Sequence, residues 1–227
     1  LFYGKALPPM PPRILFGQDD IDTDYWVKQV QQNQQYDPAK ARQLLAAAGY
    51  ASGFSGIKLY VTPLPGMEYV DKLAQIVQSY WKAIGVNAEV LPLDLANLVA
   101  WRREPVDGFV GHATFGVTNL SPAISNFEFI YGSRGAAPLT ARNTGKEITS
   151  FTPDMDKAIY GAITEIDPAK RKALIAQAIK LGMDTYTVTT FGQVPAMMGV
   201  GPKVKFELKQ PLEVAYAPQW ADMALHK

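Results

Sequence analysis

The run from Tyr36 to Asn87 constrains this chain most, because its local signals prescribe a capped helix, a strand, a long helix and a second strand in unbroken order. Asp37 suits a helix N-cap and Pro38 the first helical position. Ala41, Leu44, Leu45 and Ala48 recur at helical spacing, and Gly49 can take the left-handed conformation that ends a helix. Ile57–Thr62 reads as a strand closed by Pro63 and Pro65. From Met67 to Ile84, the residues Val70, Leu73, Ala74, Val77, Tyr80, Trp81 and Ile84 form one apolar stripe. Val86–Leu91 is the next strand, Leu95–Arg103 a short helix and Asp107–Ala113 a third strand. Strands alternating with helices need crossover connections, so the expected fold class is α/β, with a mixed, mostly parallel sheet flanked by helices.

Either side of this core the signals thin out. Residues 1–35 are expected to be irregular, broken by Pro8, Pro9, Pro11 and Pro12 and ending in a polar run from Gln29 to Gln35. Phe115 to Gly145 is loop-rich, with a short helix near Ala123–Tyr131. Thr152-Pro153 caps a helix carrying Ala158, Ile159, Ala162, Ile163 and Ile166. Asp167-Pro168-Ala169-Lys170 repeats the cap at Asp37 and opens a helix reaching Asp184. Val188–Val200 is a β-rich apolar run interrupted by Pro195.

Composition removes several functional classes. At 227 residues with 48% hydrophobic content, the chain can bury a sizeable core and is not expected to be disordered. A formal net charge of +1 with no dense Lys/Arg run argues against a nucleic-acid partner. The absence of cysteine excludes disulfides, thiolate metal sites and thiol nucleophiles. No stretch approaches the roughly 20 apolar residues a membrane span needs.

A search for catalytic chemistry finds little. The two histidines, His112 and His226, stand in no zinc-ligand spacing. No Gly-x-Ser-x-Gly elbow, phosphate loop or dinucleotide glycine pattern occurs, and Pro202 spoils the turn Gly199-Val200-Gly201 as a phosphate-binding helix start. Asp19, Asp20, Asp22 and Asp24 cluster, but lack the central Gly and terminal Glu of a calcium loop. Glu104 and Asp107 flank Pro105 and read as a polar loop before a strand. The chain is therefore expected not to be an enzyme and to need no cofactor or metal; a small hydrolase using His112 is the weakest alternative.

A binding site has a better geometric warrant. In open α/β sheets, ligands sit beyond the carboxyl ends of the strands. The loop that follows the third strand supplies the ring nitrogen of His112, the hydroxyls of Thr114 and Thr118, the aromatic face of Phe115 and the carboxamide of Asn119. Such a mixture suits a small polar solute. Tyr69, in the first turn of the long helix, joins these as a candidate. Asp71, Lys72, Arg134 and Arg142 are weaker ones; Trp101, Arg102 and Arg103 end a helix, where the two arginines read better as cations complementing its C-terminus.

The string Tyr36-Asp37-Pro38-Ala39-Lys40-Ala41-Arg42-Gln43-Leu44-Leu45-Ala46-Ala47-Ala48-Gly49-Tyr50, followed by a strand and by a helix ending Ile84-Gly85-Val86, resembles the peptide/nickel class of extracytoplasmic solute-binding proteins, the receptors of ABC importers. The resemblance covers Tyr36 to the end. It implies the C-terminal lobe (36–227) of a two-lobed periplasmic binding protein, with 1–35 an inter-lobe or surface segment and about 200–227 returning toward the hinge. It also implies lobe closure around a solute and delivery to a membrane permease. The protein would be periplasmic or lipid-anchored. The chain opens at Leu1 without a charged-then-apolar leader, so a signal peptide and an N-terminal lobe are expected in a longer precursor. A ligand-sensing module of a regulator is the alternative in the same fold.

In peptide-binding members of that class, an Asp beyond the third strand pairs with the peptide ammonium. Here His112 to Ser125 contains neither Asp nor Glu, although Ser125-Asn126-Phe127 resembles the tail of the same motif. Leaving a buried ammonium unpaired costs several kcal/mol. Nickel-chelate, sugar, opine and peptide-like solutes therefore all remain open.

Overall fold

A computed structural model of the chain describes residues 4, 6–14, 18, 20–62, 69–103, 112–114, 122–135, 153–193, 202, 204–205 and 224–225. Its elements run α1 (Thr23–Asn33), α2 (Pro38–Ala47), β1 (Phe54–Val61), α3 (Tyr69–Ala83), β2 (Val86–Pro92), α4 (Leu95–Arg103), β3 (His112–Thr114), α5 (Ala123–Tyr131), α6 (Pro153–Thr164), α7 (Pro168–Asp184), β4 (Val204–Lys205) and β5 (Ala224–Leu225). They fall into two compact units. One comprises Gln34–Val117, Ala136–Thr149 and Leu1; the other comprises Phe2–Asn33, Thr118–Gly135 and Ser150–Lys227.

The first unit is built on a three-stranded sheet of order β2-β1-β3 with both pairings parallel. The strand-and-crossover reading is therefore correct. Val70, Ala74 and Val77 of α3 bury their side chains on Leu59 and Val61 of β1, with Tyr69, Trp81 and Val90 packed partly buried around them. Burying each of the large apolar side chains contributes about 1.5–3 kcal/mol. Two glycines let the parallel pair start. Gly53 and Gly85 both take left-handed φ values, +76° and +92°, and Phe54 donates its N–H to the Gly85 carbonyl at 3.0 Å. A Cβ on Gly53 would overlap that carbonyl. Asp37 caps α2 by accepting from the Lys40 N–H at 2.8 Å, as its sequence requires.

One expectation about this unit needs correction. Tyr80, assigned to the apolar stripe, is exposed and rests its ring on Tyr36 instead. The stripe is three turns wide at the sheet, and Tyr80 lies beyond its edge. α2 is a well-capped surface helix, as its sequence reads: none of its residues is buried. Of the third strand, the described part is His112–Thr114; residues 107–111 lie outside the described residues.

The second unit is helical apart from the short antiparallel pair β4–β5. α6 and α7 lie against each other and against α5. Its interior holds Met10, Ile14, Trp26, Val30, Phe127, Ile130, Tyr131, Met155, Ile159, Ile175 and Ile179. Phe127 stacks on Tyr131 at 4.5 Å and presses on Gly182, where a Cβ would collide with its ring. Asp167 caps α7 through the Ala169 and Lys170 N–H groups.

Here too the structure corrects the sequence. Residues 1–35 are not irregular throughout: Thr23–Asn33 is a helix, capped when Asp22 accepts from the Tyr25 N–H at 3.1 Å. Its polar surface disguises it, because Trp26 and Val30 alone carry its burial, one turn apart. Ile166 is 90% exposed, past the end of α6 at Thr164. Within the β-rich run, residues 188–193 form no strand. A single antiparallel bridge joins Gln193 to Leu7, and 194–200 lie outside the described residues.

Candidate functional site

The strand order decides where a ligand belongs. From β1 the chain crosses through α3 to β2 on one side, then returns through α4 past β1 to β3 on the other. Connections leaving in opposite directions open a crevice at the carboxyl ends of β1 and β3. The backbone there is well fixed. Tyr60 pairs with Leu91 on one side and Thr114 on the other, and the Leu93 N–H donates to the Val61 carbonyl at 2.8 Å. Thr62, the first residue beyond β1, is buried.

Of the expected site residues, Tyr69 is the one whose side chain the structure describes. It opens α3 and is half-buried against the Leu59–Val61–Val77 cluster, and burial raises its phenol pKa above the ordinary value. Asp71 and Lys72 follow on the same turn and are exposed. His112 and Thr114 hold the positions of β3 in register with Lys58 and Tyr60. Phe115, Thr118 and Asn119 lie outside the described residues, as do Glu104, Asp107, Arg142 and Asp19. The structure thus brings Tyr69, His112 and Thr114 into one unit by backbone position, around the end of β1.

Other candidates have structural partners. Arg134 lies in the second unit, its guanidinium 4.6 Å over the Tyr160 ring while its backbone N–H donates to the Tyr160 hydroxyl at 2.8 Å. Asp20 accepts both the Nε and Nη2 of Arg171 at 3.2 Å, and Asp22 caps α1, so these two members of the acidic cluster are engaged. Among the described residues, no group of three His, Cys, Asp or Glu is placed to hold a metal. Trp101–Arg103 form the last turn of α4, where a helix-dipole role was expected.

Sequence reasoning missed two contributors at this end of the sheet. Tyr60 occupies the centre of the last row of the sheet. Its alternation with buried Leu59 and Val61 was legible, but the central place of β1 was not. Asp94 stands just beyond β2 and accepts from the Asn97 N–H at 2.9 Å, which holds its carboxyl below the ordinary range. This carboxylate, the nearest one following β2, is turned to the start of α4. An open depression lined by Gly56, Ile57, Lys58, Asn87, Ala88 and Glu89 sits at the bulge in β1 and not at the carboxyl ends. The strand order therefore points to the carboxyl ends of β1 and β3, away from that depression.

Comparison with known proteins agrees with this fold. The model of the bacterial extracellular solute-binding proteins, family 5 (middle part), matches residues 2–133. Heme-binding protein A of Haemophilus influenzae is 29% identical over 125 residues, 54% of this chain and 20% of that protein. The dipeptide-binding protein of Escherichia coli is 31% identical over 90 residues, 39% of this chain and 15% of that protein. The chain thus matches a fifth or less of the length of these relatives. Among solved structures, the ABC transporter-associated periplasmic binding protein DppA of Helicobacter pylori, in complex with the peptide STSA, superposes with a TM-score of 0.66 at 16% identity, over 99% of this chain and 40% of that one. At that identity the likeness establishes the fold.

Proposed function

The chain belongs to the bacterial extracellular solute-binding proteins of family 5, and we propose that it is the C-terminal part of a receptor that captures a small solute and hands it to an ABC permease. The observation that carries this reading is the β2-β1-β3 order, which opens a crevice at the end of β1 within the span matched by the family model. The solute would lie against Tyr69 and the loop of Phe115, Thr118 and Asn119. A second lobe, supplied by the rest of the receptor, would close over it and exclude water. Binding and release do the work; no bond is made or broken. The receptor would act in the periplasm or tethered to the membrane by a lipid.

The stretch 1–35 is proposed to run between lobes, beside the returning end of the chain at about 200–227. Support comes from how the first stretch is stitched to residues 190–193, shortly before that end. Leu7 and Gln193 exchange backbone hydrogen bonds at 2.8 and 3.2 Å. Thr190 Oγ1 donates to the Met10 carbonyl at 2.6 Å, and Gln193 Nε2 to the Ile14 carbonyl at 2.7 Å.

Relatives are named for heme and for dipeptides, so the solute class is the open variable. His112 to Ser125 lacks a carboxylate, and Asp94 is committed to a helix cap, which favours solutes that do not depend on an ammonium anchor. The test is calorimetric titration of the full-length receptor with a dipeptide, a tetrapeptide, hemin and a neutral sugar. Phe115→Ala should weaken the solute that binds by about 1–3 kcal/mol, the range for a buried aromatic anchor. Unchanged affinity in a folded variant would remove the β3 loop from the site.

A further inference from the structure

A cationic surface studded with tyrosines lies at the other end of the sheet. α3 runs antiparallel to the strands, so its last turn, with Tyr80 and Lys82, stands at their amino ends, whereas Tyr69 stands at the carboxyl ends. Tyr69 and Tyr80 lie three turns apart on α3, about 16 Å at roughly 1.5 Å per residue. A solute in the crevice does not reach this surface.

α2 is laid across the amino end and fastened at three points. Tyr36, before the helix, rests on Tyr80 with ring centroids 5.4 Å apart. Arg42 Nη1 donates to the Ala83 carbonyl at 3.3 Å. Tyr50, after the helix, rests on Phe54 at 4.9 Å. None of this buries the helix. Tyr36 is 75% exposed, Leu44 59% and Tyr80 54%, with Tyr50 and Ile76 exposed beside them. A helix capped this carefully, yet leaving its leucine in water, is a surface prepared for a partner.

Charge says which kind. Segments 34–55 and 75–85 contain four charged residues: Lys40, Arg42, Lys82 and Asp37. The one carboxylate among them is exposed and caps α2 at the Lys40 N–H, so the cations outnumber it three to one. The cations stand exposed around the aromatic pairs. Three cations fall short of the cluster of about 4–8 that marks binding to an anionic bilayer. Tyrosine with arginine is instead the composition of protein interface centres.

We propose that this surface docks a protein segment that presents apolar side chains flanked by carboxylates, an interface separate from the solute crevice. The carboxylates meet Lys40, Lys82 and the outer edge of Arg42, and the apolar groups cover Tyr36, Tyr80 and Leu44. The test uses the whole chain and a fluorescein-labelled amphipathic helical peptide, with leucine and phenylalanine on one face and glutamate on the other, read by anisotropy. The expected result is saturable binding that falls at least tenfold when lysine replaces the peptide's glutamates. Tyr36→Ser with Tyr80→Ser should weaken it as much. So should Lys40→Glu with Lys82→Glu, which should in turn favour the lysine peptide. All four side chains are exposed, so the variants should keep the parent melting curve. Equal binding of the two peptides, or indifference to the charge reversal, would overturn the proposal. Binding to phosphatidylglycerol vesicles through the same residues would reassign the surface to a membrane. A concentration-dependent dimer broken by the tyrosine pair would reassign it to a second copy of the chain.

Discussion

α1 and α2 teach opposite lessons about what a sequence reveals. α2 carries every terminal signal a helix can have, an Asp cap, a Pro at the first position and a Gly just beyond its end, and it buries no residue. α1 carries a polar surface and one modest cap, and it buries Trp26 and Val30. Caps are satisfied within four residues of chain and so are legible locally. Burial depends on what the rest of the molecule brings to the helix, here the interior of the second unit. The same division separates the two units. The first owes its recognisable order to local rules. The second owes its stability to contacts between residues far apart in the chain, such as Asp20 with Arg171 and Leu7 with Gln193.

This contrast is sharpest in the two helices' response to truncation. Trp26→Ala in the unremarkable helix should cost about 3–5 kcal/mol, the range for removing a buried aromatic. Urea unfolding followed by circular dichroism would measure it. A loss below 1 kcal/mol would mean that α1 is not part of the second unit's interior.

A second test probes the same interior by pH. The Tyr131 hydroxyl is buried without a hydrogen bond of good geometry. Burial raises its pKa, and the nearby Thr187 and Thr185 hydroxyls and the charge of Arg13 temper the rise without cancelling it. A raised folded pKa means that the stabilising contribution is complete below the unfolded value of 10.0 and is lost as pH climbs through the folded one. Thermal melts should therefore fall above about pH 10, and Tyr131→Phe should flatten that fall. Tyr69 shifts in the same direction for the same reason but is half-exposed, so Tyr69→Phe should alter the alkaline limb less.

The smallest effect is expected where the sequence speaks most plainly. Leu44→Ser lies in the most recognisable string of the chain, yet 59% of the residue faces water. The change should alter stability by no more than about 0.5 kcal/mol. A cost of 2 kcal/mol or more would mean that α2 is packed against something in solution, and the contrast with α1 would disappear.

The fold was legible where periodicity and burial coincide. Val70, Ala74 and Val77 face the sheet as their spacing demands, and β1 and β2 fall within a few residues of their sequence signals. It was illegible where a residue's role depends on register or on a distant partner. The collision-free contact of Gly53 with Gly85 joins two turns more than thirty residues apart, and nothing local at either glycine announces the other. The strand order from which the candidate site is proposed, at the carboxyl ends of β1 and β3, was legible in the alternation of strands and helices. The site's chemistry was less so. Asp94 looks like an available carboxylate until the structure assigns it to the Asn97 N–H.

The central claim is that this chain holds one side of a site that a second lobe completes. Calorimetry on the chain alone and on the full-length receptor, titrated in parallel with the solute that the receptor binds, tests it most directly. The predicted result is a chain that folds alone and binds at least a hundredfold more weakly than the receptor, because half the contacts and the exclusion of water are missing. Equal affinity would place the whole site within this chain and contradict closure as the mechanism.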